Sequence, residues 1–161
     1  MTCAWVWAWP PLGVSLKVAD SVAGVFEQFK QSSTDVEKGG QLFVDCSRDD
    51  GLWLTTATLP HPRDKAGVHW LELDDRRCRD EIRRNNALGL RWVGVWHSHP
   101  EEEPHYSARD LSSLKFSARS AGDALPHPLA VIVGRAVRPA GVRAWSLRNE
   151  TMVLAEVHSP S

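Results

Sequence analysis

Residues 90–122 read LRWVGVWHSHPEEEPHYSARDLSSLKFSARSAG, and this stretch decides how the chain folds. Its first part is rich in β-branched and aromatic residues and stops at a proline, which predicts a strand. From Ser107 onward, Leu111, Leu114 and Ala118 recur at steps of three and four, which predicts a helix with one core-facing side. The polar segment between them contains two prolines, so we expect a loop that joins the strand to the helix.

Two histidines and an aspartate flank this loop at offsets that suit a metal ion. In a strand, side chains two residues apart point to the same face, so the imidazoles of His97 and His99 converge. Asp110 supplies an oxygen ligand near the start of the helix. These ligand types suit zinc, and three protein ligands leave the fourth tetrahedral position for water, as in a catalytic site. The pattern predicts one zinc ion per chain, bound by His97, His99 and Asp110.

Each part of this pattern also has a reading without a metal. Two histidines in a strand are often just exposed polar positions. Ser107-x-x-Asp110 in front of an apolar run is a capping box, in which both side chains bond free amides at a helix start, and capping and ligation are compatible. The run Glu101–Glu103 lies between prolines and reads as a solvated loop, and mobile carboxylates make poor ligands. We therefore leave these glutamates out of the predicted ligand set.

The histidine-to-aspartate segment resembles the signature of the JAMM (MPN-plus, JAB-type) metallopeptidase family. HSHP is followed by six residues, a serine, two residues and an aspartate. An upstream segment, EKGGQLFV, is similar to the family's E-x-G-G-x-L and places a glutamate at Glu37. The resemblance implies that Glu37 activates a water molecule and passes its proton to the leaving amine. It also implies that Ser107 hydrogen-bonds the oxyanion, so Glu37 and Ser107 are the predicted catalytic residues.

The same resemblance implies an α/β fold with a central curved mixed sheet packed with helices, similar to cytidine deaminases. We expect one JAMM/MPN domain over residues 1–156 and a flexible tail over 157–161. Hydrophobic periodicity adds local detail. It predicts a first strand with its tryptophans on one face, a helix from about Gly13 to Lys30, and a second, mostly solvated helix between Asp74 and Asn86.

Composition narrows the classes of partner and compartment. The chain has 161 residues, with 19 basic and 20 acidic ones, and its formal net charge is -1. This balance provides no long-range field for nucleic acid or anionic lipid, so we expect neither a nucleic-acid nor a membrane partner. Three cysteines without a CxxC pair suit a reducing interior, which predicts a cytoplasmic protein. Most of the eight tryptophans are expected in the core, with Trp96 beside the substrate channel.

The resemblance is strongest to small bacterial JAB peptidases that act beside E1-like and E2-like enzymes, including those of CBASS and related anti-phage operons. It implies a protein substrate joined through its C-terminus to a lysine, as in ubiquitin-like conjugation, or a precursor with extra C-terminal residues. Two alternatives remain open. One is a non-catalytic MPN scaffold, and the other is a peptidase that trims the C-terminus of a small sulfur-carrier protein.

Overall fold

The computed structural model describes residues 1–32 and 34–160. Within these residues the chain forms eleven strands: β1 (Cys3–Trp9), β2 (Val14–Ala19), β3 (Gly39–Asp45), β4 (Trp53–Ala57), β5 (Lys65–Gly67), β6 (Trp70–Glu72), β7 (Arg91–Ser98), β8 (Leu129–Val133), β9 (Val142–Arg148), β10 (Thr151–Leu154) and β11 (Glu156–His158). The helices of the same residues are α1 (Asp20–Gln28), α2 (Asp75–Ala87) and α3 (Ala108–Ala121).

Nine of the described strands form one mixed sheet in the order β10-β9-β8-β7-β3-β4-β2-β1-β11. Most neighbours are antiparallel, but β2 pairs with β4 and β7 pairs with β8 in parallel. Strands β5 and β6 form a separate hairpin. The predicted α/β architecture, a mixed sheet packed with helices, is therefore confirmed.

The two faces of the sheet carry different layers. One face holds the main core, where α1 packs through Phe26 against Trp96, with ring centroids 5.7 Å apart. The tryptophans of β1 are buried as the alternation predicts, and Trp7 is fully enclosed. On the opposite face, α3 packs through Leu114 in a small cluster with Ala130. Because side chains alternate along β7, the residues next to Trp96 in sequence point to the face that carries α3.

The structure corrects the first helix. The predicted range began at about Gly13, but Val14–Ala19 forms β2 antiparallel to β1, and α1 begins only at Asp20. Alternation explains the error, because Leu16 and Val18 are both buried while Ser15 and Lys17 are more exposed. That period of two is typical of a strand and overrides the helical spacing of the later apolar residues.

The predicted tail also differs in part. Val157 and His158 were expected to be flexible, but both lie in β11, which pairs antiparallel with β1. The free edge of β1 offers backbone groups to this segment, and pairing satisfies them. Ser161 lies outside the described residues, and the domain limits of 1–156 stay a prediction.

Two further features concern the cysteines and the helices. The three cysteines, Cys3, Cys46 and Cys78, are free thiols. Among the described residues, none of the helices combines the length and apolar character that crossing a bilayer requires.

Candidate functional site

The three predicted metal ligands meet at the end of β7. The Nε2 atoms of His97 and His99 lie 3.0 Å apart. Asp110 reaches them from the first turn of α3, with Oδ1 3.1 Å from His97 Nε2 and Oδ2 3.4 Å from His99 Nε2. All three side chains are largely buried, with 8–12% of each side chain exposed. The fold therefore brings together residues from a central strand and a helix start.

These spacings fit a tetrahedral zinc ion. With bonds of about 2.0–2.1 Å, two ligands of a tetrahedral site stand about 3.3–3.4 Å apart. The observed separations of 3.0, 3.1 and 3.4 Å lie close to that value. Two imidazole nitrogens and a carboxylate are also the donor types that zinc prefers. The residues present thus fit the ion in both chemistry and geometry.

Glu37 lies just outside this group of ligands. Its Oε2 is 3.9 Å from His99 Nε2, farther than the spacing between the three other groups. Glu37, His97 and His99 nevertheless form a possible metal-binding triad, since their ligand atoms lie within 4.8 Å of one another. Only 5% of Glu37 is exposed. With its Oε2 3.9 Å from His99 Nε2, the Glu37 carboxylate can hydrogen-bond to a molecule beside the three ligands as readily as it can bind an ion.

Two glycines allow the backbone just after Glu37 to pack tightly against β7 and against the residue that follows β4. A Cβ at Gly39 would collide with the carbonyl of Trp96, and one at Gly40 would collide with the carbonyl of Thr58. Gly39 pairs directly with His97 in the sheet. The small-residue pair therefore places Glu37 beside the histidines for a steric reason.

Ser107 and Asp110 form the capping box that the sequence allowed. Ser107 is the N-cap of α3, and its Oγ accepts from the Asp110 amide at 3.1 Å. The Asp110 carboxylate in turn accepts from the Ser107 amide at 2.7 Å. These two hydrogen bonds fix the position of the Asp110 carboxylate, which also faces the two histidines. Because a hydroxyl has one donor and two acceptor sites, the Ser107 O–H stays available to a substrate.

Burial and neighbouring charges shift the protonation of the site in different directions. Burial raises the pKa of the Glu37 carboxyl above its usual value, although the nearby imidazoles of His97 and His99 partly oppose this. For Asp110, burial acts upward, but hydrogen bonds from both histidines outweigh it and hold its pKa below the usual range. The site therefore favours an ionised Asp110 and makes Glu37 a better proton acceptor.

One residue of the site was missed by the sequence reasoning. Glu101 Oε1 lies 2.8 Å from His99 Nδ1, which orients the ring so that Nε2 faces Asp110. Glu101–Glu103 are exposed to solvent, as expected, but hydrogen bonds fix the loop in place. The backbone carbonyls of Glu101 and Glu102 accept hydrogen bonds from the amides of Arg135 and Ala136, at 2.9 and 3.0 Å. A proline-flanked acidic run gives no local sign of this long-range pairing.

A groove of about 730 Å³ opens from the site between the β5–β6 hairpin and α3. Its lining includes Glu37, His97 and Ser107 at one end, and the apolar side chains of Trp70 and Phe116 farther away. Trp70 is 39% exposed and Phe116 is 71% exposed. An extended chain that lies in this groove would meet both polar groups and aromatic walls.

The tryptophans at the groove differ in exposure. Trp96 is among the residues that line the groove, where it was expected, but its side chain is fully buried and its Nε1 donates to the carbonyl of Thr58 at 2.9 Å. It points away from His97 because neighbours in a strand face opposite sides. Trp70, which was expected in the core, also lines the groove and leaves part of its ring exposed there.

Comparison with known proteins agrees with this architecture. A solution structure of a protein from Desulfitobacterium hafniense superimposes with a TM-score of 0.58 and 19% sequence identity, and the match covers 86% of this chain and 87% of that one. This likeness shows the fold. A search of curated proteins finds no significant match. The profile of the family described as prokaryotic homologs of the JAB domain matches residues 37–148. Since this match spans well over half of the 161 residues, the chain belongs to that family of prokaryotic JAB-domain proteins.

Proposed function

We propose that the chain is a zinc-dependent peptidase of the JAMM type. The observation that carries the proposal is the meeting of His97, His99 and Asp110 at tetrahedral spacing, with Glu37 beside them. When bound, zinc supplies a Lewis acid that lowers the pKa of a coordinated water to about 7 and polarises a carbonyl. A non-catalytic scaffold would not need a buried glutamate at this position.

The proposed reaction adds a water oxygen to the carbonyl carbon of an amide and breaks its C–N bond. Glu37 accepts a proton from the attacking water and delivers it to the departing amine nitrogen. Its carboxylate is suited to both transfers because it lies at the end of the groove, next to the ligands but outside their closest spacing. One side chain thus serves both halves of the reaction.

Ser107 stabilises the charge that develops on the carbonyl oxygen. Its Oγ is fixed as an acceptor by the Asp110 amide at 3.1 Å, which leaves its own proton to donate to the oxyanion. A preorganised donor of this kind contributes about 2.7–4 kcal/mol to transition-state stabilisation in other hydrolases. Ser107 is therefore assigned to transition-state binding, and Asp110 connects it to the ligand set.

The proposed substrate is a ubiquitin-like or similarly conjugated bacterial protein, cut after its C-terminus. The groove supports this class because its lining joins the candidate site to exposed aromatic side chains, which suit an extended tail. E1-like and E2-like enzymes are the proposed partners, the cytoplasm is the proposed compartment, and anti-phage defence of the CBASS type is the proposed setting. These rest on the resemblance of the motif to small bacterial JAB peptidases.

The test joins metal analysis to cleavage. We expect about one zinc per chain and hydrolysis of a ubiquitin-like C-terminal amide conjugate, with cleavage abolished by chelator. Glu37→Gln should keep the metal and lose cleavage, whereas a His97→Ala/His99→Ala double variant should lose both. Glu27→Gln, on the exposed side of α1, is the matched control.

Two results would overturn the proposal: a wild-type chain that binds no zinc, or Glu37→Gln that cleaves as fast as wild type. Absence of zinc would leave the scaffold as the better explanation, whereas full cleavage by Glu37→Gln would remove Glu37 from the mechanism. Cleavage only of unconjugated precursors with extra C-terminal residues would favour a trimming peptidase.

A further inference from the structure

Gln31 is a buried polar residue with no part in the proposed chemistry. It lies shortly after the end of α1, and only 1% of it is exposed. Two aromatic side chains of this region, Phe26 and Phe29, pack on Trp96 with centroid distances of 5.7 and 6.1 Å. This packing seats the end of α1 against β7. A buried amide is costly unless its polar atoms are bonded, so its partners are informative.

The amide of Gln31 joins three separate segments. Its Nε2 donates to the carbonyl of Asp35 at 2.9 Å and to the carbonyl of Val68 at 3.0 Å. Its Oε1 accepts from the hydroxyl of Ser98 at 3.0 Å. These partners lie in the segment before β3, in the turn of the β5–β6 hairpin and at the end of β7. Both N–H groups and the carbonyl oxygen of the side chain are therefore used.

The same three segments enclose Glu37. The Ser98 hydroxyl accepts from the Lys38 amide at 2.9 Å, and the Ser98 amide donates to the Lys38 carbonyl at 2.8 Å. The Glu37 amide donates to the carbonyl of Gly67 at 2.8 Å, in the hairpin. Glu37 is thus held from both sides by groups that Gln31 connects. Ser98 itself lies between the two histidines and points to the face opposite theirs.

We propose that Gln31 is a positioning residue that sets Glu37 relative to the histidine pair and to the hairpin wall of the groove. It contacts none of the candidate ligand atoms and acts through Ser98, Asp35 and Val68. The effect of Gln31 on catalysis rests on the proposed function, whereas its role in fixing the backbone around Glu37 does not. A single side chain therefore links the segment before Glu37 to the end of β7 and to the hairpin wall of the groove.

The first measurement is amide hydrogen exchange in the full chain. In Gln31→Met, which keeps the side-chain length and removes the amide, exchange at Glu37 and Lys38 should accelerate at least about tenfold. The Cys78 amide, which bonds to the Asp74 carbonyl at the start of α2, should exchange as in wild type. Gln28→Met, on the exposed end of α1, is the matched control and should change neither.

The second measurement separates positioning from general damage. Gln31→Met should lower kcat by about 10–100-fold, the usual effect of removing an outer-shell partner, with little change in KM or in zinc per chain. Ser98→Thr and Ser98→Val add the same bulk to a fully buried site, and only threonine keeps the hydroxyl. Threonine should therefore retain at least about tenfold more activity than valine. This pair keeps the test valid if Gln31→Met fails to fold.

The outcomes distinguish the two proposals. Unchanged exchange at Glu37 and Lys38 in Gln31→Met, or equal activity of the two Ser98 variants, would overturn the positioning role. Accelerated exchange in a chain whose wild type cleaves no conjugate would refute the proposed function and leave the structural part of this inference standing. A loss of zinc from Gln31→Met as large as its loss of activity would also contradict the positioning role, because that role concerns Glu37 and not the metal.

Discussion

Replacing Glu101 should weaken zinc binding even though Glu101 is not a predicted ligand. Its Oε1 lies 2.8 Å from His99 Nδ1, so it fixes the tautomer that leaves Nε2 free to bind a metal. The histidine also becomes a stronger donor when the carboxylate shares its proton. In Glu101→Ala, both effects disappear while the three ligands stay in place. Glu101→Gln keeps an acceptor oxygen and removes only the charge.

The size of the effect follows from exposure. Loss of an outer-shell partner costs about 10–100-fold in metal affinity or activity. Because 45% of the Glu101 side chain is exposed, water replaces part of the lost bond, and we expect the lower end, about tenfold, for alanine. Tenfold corresponds to about 1.4 kcal/mol. With zinc in excess, the same loss should lower the Tm by about 3–6 °C in a chain of this length.

The assay is zinc competition against a calibrated chelator, supported by thermal unfolding with and without zinc. Glu102→Ala is the control, because Glu102 lies in the same loop but pairs with Arg135 at 3.2 Å and is 67% exposed. We expect the affinity order wild type, Glu101→Gln, Glu101→Ala, with Glu102→Ala equal to wild type. The reasoning is refuted if Glu101→Ala binds zinc as tightly as wild type, or if the control loses as much.

Three further predictions concern packing, ion pairing and chemistry. Gly40→Ala should destabilise the fold by about 3 kcal/mol in denaturant unfolding, since the new Cβ would collide with a backbone carbonyl. Gly24→Ala, whose Cβ would lie in open space on α1, should stabilise the fold by about 0.5–1 kcal/mol. Equal effects of the two substitutions would contradict this reasoning. Burial acts to raise the pKa of the Asp64 carboxyl, but hydrogen bonds that include those from Arg77 hold this pKa below its usual value. The ionised carboxylate therefore stabilises the fold above the usual pKa of an aspartate. This stabilisation is lost as the pH falls through the lower pKa of the folded state. The unfolding free energies of wild type and Asp64→Asn should therefore differ by about 3 kcal/mol at neutral pH and converge in acid, and a gap independent of pH would refute the assignment. Ser107→Ala should cost about 1 kcal/mol of stability from the lost cap but lower kcat by about 10²–10³-fold, and steady-state kinetics within threefold of wild type would remove Ser107 from the mechanism.

The candidate ligands could be predicted because their geometry is local. His97 and His99 share a face by strand alternation, and Asp110 is fixed at a helix start by a cap written in four residues. Helices α2 and α3 follow from short-range periodicity, whereas the mixed sheet was implied by the family resemblance. The first helix was placed too early because two periods overlap between Gly13 and Lys30, and burial of β2 decides between them.

The supporting residues could not be predicted because their partners are distant in sequence. Gln31 bonds Ser98 across 67 positions, and the loop of Glu101 is pinned by residues 135 and 136. Neither segment has a periodicity or a motif that signals such a contact. Trp70 is a similar case, since a tryptophan in a short strand reads as core until the strand proves to be part of a detached hairpin.

The candidate site is therefore arranged by the protein before any ion is considered. His97 lies on a strand bonded on both sides, by β3 and β8, the His99 amide donates to the carbonyl of Val133, and Asp110 is held by a complete capping box. The Glu101 loop is anchored by backbone bonds, and Glu37 is enclosed by the Gln31 and Ser98 contacts. We expect a site assembled in this way to fold without the free energy of metal binding, unlike small domains that fold only around zinc. Because the protein offers three ligands, a bound zinc would keep its fourth tetrahedral position open, as in a catalytic rather than a structural site.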